Sequence, residues 1–178
     1  FTIIASLEVA GRARGGQGLF GWIRKLPWGD PLVSSVIFSM LLFAFGGWGG
    51  AINASFGMNA VVHNTSWIPG HFHTTVGSAS ALTFMGASYW LLPRLLEKRL
   101  ELAPMAKVQP YIWFVGMLLF SIPTHITGVM GMPRRVFDAS YGDHPTALSW
   151  KALTDLSAIG GMLLFVSALF FVLVMLFT

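Results

Sequence analysis

Apolar residues in this chain come in long blocks separated by short polar clusters, not in the alternation of half-buried strands. The blocks at positions 32–56, 67–92, 111–132 and 152–177 each reach the length of about 20 residues that a membrane-crossing helix needs. Positions 1–10 read as the tail of one more such helix. Pro93 is expected to stop the third block, and positions 57–66 are expected to form a polar loop. The prediction is an all-α fold: a polytopic transmembrane helix bundle of about four full helices plus the end of another. It forms a single membrane domain over residues 1–178. Both ends fall in apolar runs and the first residue is Phe1 rather than Met, so the chain is expected to be a fragment of a larger subunit.

Composition strengthens the membrane reading. The chain is 54% hydrophobic and only 10% charged, with a mean hydropathy of +0.68. A soluble domain carries about 25% charged residues. The absence of cysteine excludes disulfides, thiolate-held metals and iron–sulfur clusters. The net charge of +4 is a topology signal here, not a nucleic-acid footprint. If each helix crosses once, the stretches at 11–30 and 94–107 share one side and hold eight of the eleven Lys and Arg residues. The positive-inside rule makes that side cytoplasmic. Parity then gathers His63, Asn64, Arg134 and Arg135 on the opposite side, near the start of the third helix.

That start carries the candidate chemistry. In Trp67-Ile68-Pro69-Gly70-His71-Phe72-His73, two histidines stand two positions apart. At ~100° per residue they point about 200° apart on a helix, onto nearly opposite faces. Such a pair cannot share one metal from an ideal helix; it requires two polar environments. Imidazole is an axial ligand of haem iron, and ionisable groups inside a bilayer mark function. His71 and His73 are therefore read as ligands of two separate haems, in preference to packing histidines. A non-haem transporter using them as proton relays is the reading from another class. Arg134 and Arg135 sit together on the Arg-poor side, where the guanidinium fork suits the carboxylates of haem propionates. Snorkelling at a helix end is the plainer account. His63 is placed to join the same cluster, or is an ordinary loop histidine.

Other features are weaker. Gly46-Gly47-Trp48-Gly49-Gly50 permits close helix approach, or equally leaves room for a flat macrocycle. His125, two residues after Pro123, is read as structural, satisfying backbone groups freed by the proline. Gly16-Gln17-Gly18-Leu19-Phe20-Gly21 matches G-x-G-x-x-G but lacks the flanking strand that motif requires.

The run Val61 to His73, followed by Gly131-Met132-Pro133-Arg134-Arg135, resembles subunit I of the haem–copper terminal oxidases, nearest their B-type branch. The resemblance extends along essentially the whole chain, through Ala5-Ser6-Leu7-Glu8, Leu19-Phe20-Gly21-Trp22-Ile23-Arg24 and Asn53-Ala54-Ser55-Phe56. It implies that His71 is the proximal ligand of the high-spin haem where oxygen is reduced. By the same resemblance His73 is an axial ligand of the low-spin haem, and His63, Arg134 and Arg135 contact propionates. It implies two haems, and a copper whose ligands lie outside this chain. Electrons would come from cytochrome c or a similar donor, O2 would be reduced to water, and protons would be translocated. The partners implied are oxidase subunit II and other oxidase subunits, in the inner (plasma) membrane of a prokaryote. Asn64 departs from the A-type pattern, in which an Asp at this place helps bind magnesium or manganese. A nitric-oxide reductase of the same superfamily is the alternative within the resemblance.

Overall fold

The computed structural model describes all 178 residues, and its ordered elements are helical. Helix α1 spans Thr2–Ala13, and a 3₁₀ turn at Ile23–Lys25 lies in the basic loop that follows. Helix α2 spans Pro31–Ala54, α3 Phe56–Val62 and α4 Trp67–Thr75. A π-helical segment, Val76–Leu82, joins α4 to α5, Thr83–Leu95. Helix α6 spans Ala103–Val129, α7 is the short turn Pro145–Leu148, and α8 spans Lys151–Phe177. Three helices, α2, α6 and α8, are individually long and apolar enough to cross a membrane. The fourth crossing is composite, because α4, the π segment and α5 keep right-handed helical dihedrals through both junctions.

Four boundaries differ from the sequence expectation. The stretch expected as a loop at 57–66 is mostly helix α3. Pro93 does not stop its helix; α5 continues two residues to Leu95. A proline so near the end forfeits one ladder bond, and the Arg94 guanidinium donates to the Trp90 carbonyl at 2.7 Å while lying over the Trp90 ring. Helix α6 begins eight residues before the expected position 111, with Pro104 in its first turn, where a missing N–H costs nothing. It ends at Val129 instead of Met132, since Gly131 turns the chain at φ +90.

Helix α6 is the hub. Its Gly116 meets Gly160 of α8 so closely that a Cβ on Gly160 would collide with the backbone of Phe120. In lipid, where apolar surface gains nothing by hiding from water, such close backbone approach and interhelical hydrogen bonds hold helices together. Gln109 Nε2 donates to Ser167 Oγ, which donates to the Gln109 carbonyl, both at 2.9 Å. Ser157 Oγ donates to the Phe120 carbonyl at 3.0 Å. On the other flank, Phe38 and Leu42 of α2, Leu82 of the π segment, and Trp113 and Met117 of α6 form the main apolar cluster. A second cluster, Tyr89, Ala106 and Val174, joins α5, the start of α6 and the end of α8.

Candidate functional site

Helix α4 is short and tightly tethered, and it fixes where both histidines point. Its first turn crosses the end of α6 at Gly128, where a side chain would collide with the Trp67 backbone. Ser66 Oγ donates to the Thr124 carbonyl at 3.0 Å and lies 2.8 Å from Thr127 Oγ1. Ser121 Oγ donates to the Gly70 carbonyl at 2.9 Å. One turn later the small hydroxyl residues bond back to the same helix. Thr74 Oγ1 and Thr75 Oγ1 both reach the His71 carbonyl at 2.9 Å, and Ser78 Oγ reaches the His73 carbonyl at 3.3 Å. Side-chain donors that compete for backbone carbonyls loosen the regular ladder, and the π segment begins directly afterwards.

The two histidines face different neighbours. The His71 ring lies on α2, where a Cβ on Gly49 would be 3.2 Å from Nδ1 and one on Gly50 would be 3.3 Å from Cε1. Gly46, from the same glycine run, is occupied instead by Thr75 and Thr74. The run therefore seats α4 and its histidine. His73 lies over Phe120 of α6, with ring centroids 4.5 Å apart. Its Nδ1 is 2.7 Å from the Pro69 carbonyl oxygen, which can only accept. That contact puts the proton on Nδ1 and leaves the Nε2 lone pair free. His71 Nδ1 is buried without a partner.

These features fit haem better than a bare ion. Nowhere do three His, Cys, Asp or Glu side chains gather round one point. An imidazole presented singly suits a metal whose remaining ligands come from a macrocycle. Phe72, 53% exposed, and Val76, 61% exposed, add uncovered apolar surface beside the histidines.

The polar end of the site is built by two loops. Thr65 and Pro133 form an isolated β-bridge, Ser66 N–H donates to the Met132 carbonyl at 2.8 Å, and Arg134 N–H to the Asn64 carbonyl at 3.0 Å. Arg134 also donates through its guanidinium to Asn64 Oδ1 at 2.8 Å. Asn64 and Arg134 thus meet, as the alternation of loops required. Arg135 is exposed, at φ +62, and neither arginine has a carboxylate partner. His63 caps α3 and is exposed beside Phe56, Asn59 and Ala60. Further along the same loop, the Ser140 N–H and hydroxyl hold the Asp138 carboxyl below its ordinary pKa.

His125 was the residue whose placement sequence reasoning missed. Its Nδ1 bonds the Ser121 carbonyl at 2.7 Å, in keeping with a structural reading, but its ring also stands beside Gly49, against which His71 lies. No spacing rule links positions 71 and 125; only the crossing of α4 with α6 does.

Comparison with known proteins follows the same outline. The family model described as Cytochrome C and Quinol oxidase polypeptide I matches residues 1–163. Cytochrome c oxidase subunit 1 of Thermus thermophilus is 44% identical over 179 residues, covering 97% of this chain and 32% of that protein. A shorter Thermus thermophilus sequence of the same name is 44% identical over 108 residues, 60% of this chain and 100% of its own length. A cryo-EM structure of a haem–copper terminal oxidase dimer superposes with a TM-score of 0.90 at 33% identity, covering 99% of this chain and 32% of that one. This chain thus spans about a third of the length of the first relative and of that structure.

Proposed function

This chain belongs to the family of cytochrome c and quinol oxidase polypeptide I, and on that footing we propose that it is the part of an oxygen-reducing oxidase subunit that holds two haems from one helix. The carrying observation is the divergence of His71 and His73, two residues apart, onto α2 and α6 respectively. When bound, the two haems, with a copper held by residues outside this chain, supply electron transfer and the reduction of O2 to water.

The chain's own residues do the holding. His73 would hold the low-spin haem iron through Nε2, its ring orientation fixed by the Pro69 carbonyl. His71 would hold the high-spin haem iron, where O2 would be reduced. Because α4 is bonded to α6 through Ser66, Thr127, Gly70 and Ser121, the two ligands keep a fixed separation and angle. With the haems bound, imidazoles held in place in this way would need little rearrangement to serve them. Arg134, Arg135 and His63 provide positive or hydrogen-bonding groups for propionates at the loop end. Cytochrome c or a similar carrier is the proposed donor. Subunit II and other oxidase subunits are the proposed partners, proton translocation the coupled process, and a prokaryotic plasma membrane the location.

The test is the optical spectrum of the full-length subunit, reduced minus oxidised and with carbon monoxide. Two haems, one low-spin and one binding carbon monoxide, are expected. Absence of a Soret band would return the histidines to the proton-relay reading.

A further inference from the structure

Helix α2 has two chemically different faces. On one, Ser35, Ser39, Gly46 and Gly49 are buried against α4 and α5. There Ser35 lies against Gly86, Gly46 meets Thr74 and Thr75, and Thr83 Oγ1 donates to Ser39 Oγ at 2.9 Å. Small residues and interhelical hydrogen bonds are what join helices in lipid. The other face has neither. Ile37, Met40, Leu41 and Ala44 of α2, with Ile4 and Leu7 of α1, wall an open groove of about 650 Å³ whose lining residues are all apolar. Of these six only Ala44 is small.

The groove is about one leaflet deep and is rooted in the basic loop. Helix α2 starts at Pro31, so at ~1.5 Å per residue Ile37 lies about 9 Å and Ala44 about 20 Å along its axis. Half of a hydrocarbon core is about 15 Å. Trp22 and Trp28 line the loop end, where tryptophan suits a membrane interface. Their Nε1 atoms donate to the Leu19 and Ile23 carbonyls, each at 2.9 Å. The loop is firmly seated, since a side chain on Gly11 or Gly16 would collide with the Trp22 backbone. Between the lining residues Ile23 and Leu26 stand Arg24 and Lys25, both exposed and without a carboxylate partner. The acidic groups that flank the loop are engaged elsewhere. Glu8 pairs with Arg12 at 2.7 Å, and Asp30 Oδ1 accepts from the N–H groups of Leu32 and Val33. The mouth of the groove is left positive.

We propose that this groove holds one anionic glycerophospholipid, with an acyl chain lying along α2 from Trp28 to Ala44 and its phosphate at Arg24 and Lys25. Bulky, bond-free walls suit a flexible hydrocarbon chain; a helix laid there would lack the small residues and polar partners that α6 and α8 offer each other. Basic side chains at the membrane surface attract anionic headgroups. The inference does not depend on which haem either histidine holds.

The experiment uses the full-length subunit with its haems, in phosphatidylcholine nanodiscs. Two probe lipids carry the same photoactivatable diazirine in the acyl chain, one under a phosphatidylglycerol headgroup and one under phosphatidylcholine. Adducts are mapped by peptide mass spectrometry, and the haem optical bands serve as the fold control. The phosphatidylglycerol probe is expected to label positions 20–28 and 37–44 well above the phosphatidylcholine probe, and unlabelled phosphatidylglycerol to compete. Arg24→Gln combined with Lys25→Gln is expected to cut that labelling about tenfold, towards the phosphatidylcholine level. Ala44→Trp fills the groove and is expected to lower labelling by both probes. Absence of adducts in these stretches overturns the proposal, because another part of the subunit then covers the groove. Equal labelling by the two probes overturns it too, since the groove then holds only ordinary bilayer lipid. So does undiminished phosphatidylglycerol labelling in the charge variant, which leaves the groove walls intact and decides the matter even where Ala44→Trp fails to assemble.

Discussion

Asn64 Oδ1 accepts a hydrogen bond from the Arg134 guanidinium at 2.8 Å, and Asn64 does so from the left-handed region, at φ +61. Asparagine tolerates that conformation better than residues without a short polar side chain. The pair clamps the loop before α4 to the loop after α6, and so sets the mouth of the site.

Replacing Asn64 by Ala removes a hydrogen bond to a charged donor and places a less tolerant residue in the left-handed region. A loss of about 1–2 kcal/mol is expected. Thermal unfolding of the holo-subunit checks it, against Asn64→Gly, which removes the bond but not the conformational freedom and should lose less. Arg134 already occupies the amide oxygen, and a neutral amide is a weak ligand for hard cations. Elemental analysis is therefore expected to find no stoichiometric magnesium or manganese at Asn64.

Arg134→Ala and Arg135→Ala test the propionate role. Neither guanidinium faces a carboxylate of this chain. Positive charge near a haem disfavours its oxidised, more positive form, so losing it should lower at least one midpoint potential. At a surface site screened by solvent the effect should be on the order of 1 kcal/mol, or some tens of millivolts. Redox titration of variants that retain both haems measures it; unchanged potentials would remove the role.

His71→Ala and His73→Ala should have separable consequences in the full-length subunit. His73→Ala is expected to abolish the low-spin spectrum while sparing a carbon-monoxide-binding haem. His71→Ala should keep the low-spin spectrum and lose or severely weaken carbon monoxide binding. Since a bound cofactor stabilises the fold that holds it, lower yields are expected of both. Difference spectra in which both variants lose the same band would mean that the histidines do not serve one haem each.

Gly160→Val tests the hub. A side chain there collides with the backbone of Phe120 and crowds the Gly116 carbonyl, so α8 must move away from α6. Overpacking of this kind costs about 1–3 kcal/mol. Lower thermal stability of the detergent-solubilised subunit is the expected result, and Gly161→Val, whose Cβ position has only the Phe120 ring at 4.0 Å, should be milder.

The linear chain was enough for the membrane class, the rough positions of four crossings, the loops that share an end, and the divergence of two histidines from one helix. Those follow from local properties: apolar run length, the parity of crossings, and about 100° of turn per residue. What depends on partners came out misplaced. Pro93 reads as a stop and position 111 as a start, yet Pro93 and Pro110 each sit inside a helix. The segment after the histidines reads as ordinary helix and is π-helical, where serine and threonine hydroxyls reach back to carbonyls. The glycine run at 46–50 permits either close approach or an open slot. Only the crossing of α2 with α4 decided that Thr75 fills the first position and His71 lies on the last two. His125 comes beside Gly49 for the same kind of reason. It is far from His71 along the chain and becomes its neighbour only once three helices have packed, a proximity that no periodicity in a linear sequence encodes.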